Sequence, residues 1–114
     1  ESSESTLRGK WINSVDDRED YPGQTLATRN HEVIRRWSEE RKAKPATAGS
    51  TDPEHPRVLR LDFPPYGEGL QDIDWDAWFR TFDERNLIFM FQEHLRNGRQ
   101  SNFFRLVNPE NEDA

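Results

Sequence analysis

Asn97-Gly98 stands between two aromatic and aliphatic runs, Leu87-Ile88-Phe89-Met90-Phe91 and Phe103-Phe104-Arg105-Leu106-Val107. Asn-Gly is the strongest short-range signal for a two-residue hairpin loop, because a type I′ turn needs positive φ at both central positions. A loop at Asn97-Gly98 pairs Phe91 with Phe104 and Phe89 with Leu106. Side chains alternate across a strand, so these four share one face. The other face then carries Ile88, Met90, Phe103 and Val107. Few chains place large apolar groups on both sides of one hairpin, and both faces need cover.

The rest of the chain offers two helices and one further strand. Trp75, Trp78, Phe79 and Phe82 recur at i, i+3, i+4 and i+7, which puts them on one helical face. Asp74 is a good N-cap for this helix. Asn86 tolerates the left-handed conformation that ends one. An earlier helix is predicted from Thr28 or Asn30 to about Ala43, with Val33, Ile34 and Trp37 as a narrow apolar stripe. Pro45 cannot continue it. Leu59, Leu61 and Phe63 alternate with Arg60 and Asp62, the pattern of a half-buried strand. Residues 46–57, rich in small residues and prolines, read as a loop.

These elements predict an α+β fold of order α-β-α-β-β, two helices packed on a three-stranded sheet that ends in the antiparallel hairpin. The expected domain spans residues 28–107. Residues 1–27 hold Trp11, Ile12, Val15, Tyr21 and Leu26 without a sustained period. They are expected to form an arm, partly disordered or docked on the domain. Residues 108–114 are expected to form a disordered acidic tail. Either the arm, a second copy of the chain or another protein is expected to cover the Ile88/Met90/Phe103/Val107 face.

The 114 residues include 33% charged and only 32% hydrophobic side chains. Eleven of the thirteen aromatics nevertheless fall after Thr28, which supports a compact core there. The absence of cysteine excludes disulfides, thiolate chemistry and Cys-ligated zinc. No apolar run approaches the roughly 18–20 residues of a membrane-spanning helix. The polar start Glu1-Ser2-Ser3-Glu4-Ser5 is unlike a signal peptide. A cytoplasmic location without membrane partners is the expectation.

The net charge of −6 opposes non-specific binding to nucleic acid. Its distribution is uneven, however. Arg35, Arg36 and Arg41 on the first helix, with Arg96 and Arg99 near the hairpin tip, are candidates for a phosphate-binding edge of the kind that gives salt-dependent affinity. The competing expectation is a solvated helix face on which Glu32, Glu39 and Glu40 neutralise the cations.

Candidate chemistry is sparse. Asp72, Asp74 and Asp76 lack the glycine and the closing glutamate of a calcium loop, so helix capping is their expected role. His31, His55 and His94 lie far apart and form no zinc-ligand spacing. His94 and Ser101 are cross-strand neighbours, but an open hairpin near its turn is wet and supplies no oxyanion hole. No glycine loop for phosphate is present. The reading is therefore no catalytic residues, no metal and no cofactor.

The run His31-Glu32-Val33-Ile34-Arg35-Arg36-Trp37-Ser38-Glu39-Glu40-Arg41, with Lys44-Pro45-Ala46-Thr47, resembles a family of small uncharacterised bacterial proteins. Leu59-Arg60-Leu61-Asp62-Phe63, Trp75-Asp76-Ala77-Trp78-Phe79 and Gln100-Ser101-Asn102-Phe103-Phe104-Arg105-Leu106-Val107 extend the resemblance over residues 28–107. Some members carry the label "1,4-alpha-glucan branching enzyme". Enzymes of that name use a barrel domain of roughly 250 residues, and nothing in this chain is similar to one. The resemblance implies a domain boundary and no mechanism. Relatives tend to have a glycine pair where this chain has Lys42-Ala43. The combined expectation is a non-enzymatic protein-interaction domain, self-associating through Ile88, Met90, Phe103 and Val107. Nucleic-acid binding through Arg35, Arg36, Arg41, Arg96 and Arg99 is the alternative.

Overall fold

The computed structural model describes residues 9–49, 52–67 and 69–109. Over these residues it is an α+β fold with two helices and two sheets, one of four strands and one of three. The expected single three-stranded sheet is thus corrected. The chain falls into two compact units: residues up to Trp37 together with those from Leu87, and Ser38–Asn86.

In the first unit, β1 (Lys10–Trp11) runs parallel to β2 (Thr25–Thr28), and β2 pairs antiparallel with β6 (Ile88–Gln92). The hairpin partner β7 (Phe104–Val107) completes the order β1-β2-β6-β7. The segment expected as an arm therefore contributes two strands. Its short polar and small residues, Thr25-Leu26-Ala27-Thr28, carry almost no strand signal of their own. Backbone pairing with β6, from Thr25↔Gln92 to Thr28↔Phe89, holds them. The expected hairpin register holds too, with Phe91 opposite Phe104 and Phe89 opposite Leu106.

The turn that closes this hairpin differs from the expectation. Leu95 N–H donates to Arg99 O at 2.7 Å, and Gly98 N–H donates to Leu95 O at 2.9 Å. The loop is therefore three residues, Arg96-Asn97-Gly98, with positive φ at Gly98 (87°) and not at Asn97. That is a type I turn followed by a left-handed glycine. Such a turn pairs His94 with Gln100, one residue out of step with Phe91↔Phe104. An extra residue at Asn102 restores the step. Ser101 N–H donates to Glu93 O, whereas Gln92 N–H donates to Phe103 O, so Asn102 is the unpaired residue of a β-bulge. The Ser101 hydroxyl fixes the kink by accepting from Phe103 N–H at 3.1 Å.

Helix α1 (His31–Glu40) begins at Asn30, whose side chain accepts from Val33 N–H at 3.0 Å. It buries Val33, Ile34 and Trp37. Trp37 meets Phe89, Phe91 and Phe104 edge-on at 5.4, 6.0 and 6.1 Å between ring centroids. Its indole N–H donates to Gln92 O at 2.9 Å. One tryptophan thus covers the first hairpin face and satisfies its only polar atom.

The helix ends at Glu40, earlier than the sequence predicts. Lys42 is left-handed (φ 59°). Lys42 N–H donates to Glu39 O, and Ala43 N–H donates to Ser38 O. This is a Schellman ending with lysine where glycine is usual.

In the second unit, the first residues of the expected 46–57 loop lie instead in β3 (Lys44–Ala48), the central strand of the three-stranded sheet. Its neighbours β4 (Arg60–Asp62) and β5 (Leu70–Asp72) both pair antiparallel with it. Pro45 fits there because the β5 ladder ends at Ala46↔Asp72. Its carbonyl still accepts from Ile73 N–H at 3.0 Å, and only an end-of-ladder donor is lost. The expected strand around Leu61 is β4, and it pairs with β3.

Helix α2 (Trp75–Glu84) lies against β3. Asp74 caps it by accepting from Ala77 N–H at 2.9 Å, and Asn86 (φ 55°) follows its end, both as the sequence predicts. Trp78, Phe79 and Phe82 are buried with Leu59, Leu61 and Ile73. Trp78 donates its indole N–H to Arg60 O at 2.9 Å. The aromatic stripe of α2 therefore belongs to the unit of the three-stranded sheet.

Candidate interaction surface

The second hairpin face is where the sequence places a partner. Three of its four residues are closed off. Ile88, Met90 and Val107 are 1%, 5% and 6% exposed, in a cluster with Ala27 of β2. Gly9 abuts the same cluster, since a Cβ on it would lie 3.2 Å from Met90 Cε. The segment before α1 thus supplies part of the cover. Phe103 alone remains open, at 45%. The bulge at Asn102 carries it to the outer end of the face, beside exposed Arg105.

That outer end is bounded by the loop between β1 and β2. Gly23 N–H donates to His94 O at 2.9 Å, and Gln92 Nε2 donates to Gly23 O at 3.2 Å. His94 Nδ1 lies 2.6 Å from Glu19 Oε2. Lys10 ties the loop to β1 by donating to Arg18 O and to Asp20. The Lys10 ammonium, then Gln24, holds the Asp20 carboxyl below the usual carboxylate value. Between loop and sheet is a cleft of about 390 Å³, lined by Tyr21, Gly23, Gln24, Thr25, Met90, Arg96 and Gly9. Tyr21 of the expected arm and Arg96 of the hairpin tip are far apart in the sequence. Only the fold joins them.

The basic edge does not assemble as a row of free cations. Arg36 pairs with Glu93 at 2.9 Å, Arg35 with Glu32 at 3.6 Å, and Arg41 with Glu40 at 3.5 Å. Arg41 is also buried, at 6%. Arg96 and Arg99 are exposed at the tip and have no ion pair among the described residues. No family model, curated protein or solved structure matches this chain.

The residues weighed for catalysis are engaged otherwise. Ser101 Oγ donates to Gln92 Oε1 at 3.2 Å, and His94 turns to Glu19 instead of to Ser101. Asp74 serves as a cap, and Asp72 lies 4.0 Å from Lys44. Among the described residues, no group of three or more His, Asp or Glu side chains has the placement to hold a metal ion. No described helix is long and apolar enough to cross a membrane.

Proposed function

We propose that this chain is a non-enzymatic, cytoplasmic protein-interaction domain whose contact surface is the outer end of the second hairpin face. The supporting observation is Phe103. It is a large aromatic left 45% exposed at a bulge, on a face whose other apolar residues, Ile88, Met90 and Val107, are buried. A few large side chains carry most of the energy of an interface, and Phe103 and Tyr21, the latter 58% exposed in the cleft lining, are the exposed aromatics at this end. Self-association through Phe103 is the first form to examine.

Light scattering of the whole chain beside Phe103→Asp tests this, together with a pull-down using both proteins. The expected result is a larger species, or a retained partner, that Phe103→Asp abolishes. A monomer at all concentrations, with the same proteins retained by both forms, overturns the reading.

A further inference from the structure

The cations at the hairpin's outer end differ from those elsewhere in the first unit. Arg18 donates to Val15 O, Arg29 to Leu87 O, and Arg35 and Arg36 face glutamates. The guanidinium groups of Arg96 and Arg105 have no hydrogen bond or ion pair among the described residues, although the chain carries 22 acidic groups. Arg96 lines the cleft, and Arg105 is the cross-strand partner of Met90, which also lines it.

Arg96 is also held in place. Gly23 (φ +93°) has Arg96 N and Cα 3.4 Å, and Arg96 Cγ 2.8 Å, from the position a Cβ would take. The arginine stem therefore rests on a bare backbone that is itself bonded to His94 and Gln92. A charge positioned on a rigid support loses little entropy when it pairs.

The cleft combines an apolar contact at Met90, the Tyr21 ring, and polar groups at Gln24 and Thr25. We propose that it docks an extended acidic peptide. One apolar side chain enters beside Met90, and flanking carboxylates pair with Arg96 and Arg105. This rests on the interaction-domain reading and names the partner's chemistry. A peptide is favoured over nucleic acid because the cations are few and local. A long polyanion feels the net charge of −6, whereas a short peptide feels mainly charges within a Debye length, about 8 Å at physiological salt.

The test is a fluorescence-anisotropy titration of the whole chain. The probes are a labelled peptide of leucines flanked by glutamates, its lysine-flanked counterpart, and a labelled single-stranded oligonucleotide. The acidic peptide is expected to bind, and the other two are not. Arg96→Glu is expected to weaken binding about tenfold or more, as loss of a charge-assisted pair does. Gly23→Ala, which pushes on the Arg96 stem, is expected to weaken it in the same direction. Far-UV circular dichroism and melting curves establish that each variant is folded.

No binding of the acidic peptide up to about 1 mM, equal binding of the lysine peptide, or indifference to Arg96→Glu overturns the proposal. Oligonucleotide binding that Arg96→Glu abolishes overturns it in favour of a polyanion site. Binding that Phe103→Ala weakens and Arg96→Glu does not would leave the interaction surface standing and remove only its preference for acid.

Discussion

Lys42 holds a backbone conformation that glycine adopts freely and lysine does not. A left-handed L-residue costs about 1–2 kcal/mol. Lys42→Gly is therefore expected to stabilise the protein by about 1 kcal/mol, read as a shift in the urea midpoint at unchanged slope. Thr47 presents a different defect. It is fully buried in β3, and its hydroxyl has no hydrogen-bond partner among the described residues. An unmet buried hydroxyl costs about 1–3 kcal/mol, so Thr47→Val, nearly the same shape, is expected to raise the melting temperature. Asp20 carries the pH dependence of its loop. Its folded pKa lies below the unfolded one because Lys10 donates to it. Its contribution is present above the usual carboxylate value, about 4, and is lost as pH falls through the lowered value. A carbon-13 titration of the Asp20 carboxyl should give a midpoint below that value, and Lys10→Met should raise it.

At the scale of elements, the large side chains were legible and the small ones were not. Trp75, Trp78, Phe79 and Phe82 announce α2, and Asp74 marks its start, because periodicity and capping are local. Asp74→Ala should accordingly cost about 1 kcal/mol. The hairpin register agrees with the expectation for a different reason: the three-residue loop shifts the pairing by one, and the bulge at Asn102 shifts it back. By contrast β2, β3 and β5 consist of Thr, Ala, Leu, Lys, Pro, Gln and Asp. Their strand form comes from neighbours distant in sequence, which no local pattern contains. Missing them turned two sheets into one and assigned α2 to the wrong one. The candidate surface suffered similarly. Phe103, Met90 and Arg96 stood out as residues, but their burial and the Gly23 support depend on the β1–β2 loop reaching the hairpin. Trp37 shows how much one legible residue holds. Trp37→Ala should cost about 3–5 kcal/mol, measured by chemical denaturation, since it removes three ring contacts and the partner of Gln92 O.

For the molecule as a whole, the excess of acid sets behaviour in solution rather than fold. With a sequence pI near 5.1, solubility should pass through a minimum close to pH 5, where self-repulsion vanishes, and turbidity measured across pH 4–7 would display it. The hairpin tip stands apart from such bulk properties. Its turn is one residue longer than the sheet register requires, and Asn102 absorbs the difference before Phe91 meets Phe104. Loop length and core alignment are thereby uncoupled, as by an expansion joint. Residues may be added or exchanged between Leu95 and Arg99 while every aromatic in the sheet keeps its neighbour, which makes the tip a natural place to graft a reporter or a foreign recognition loop.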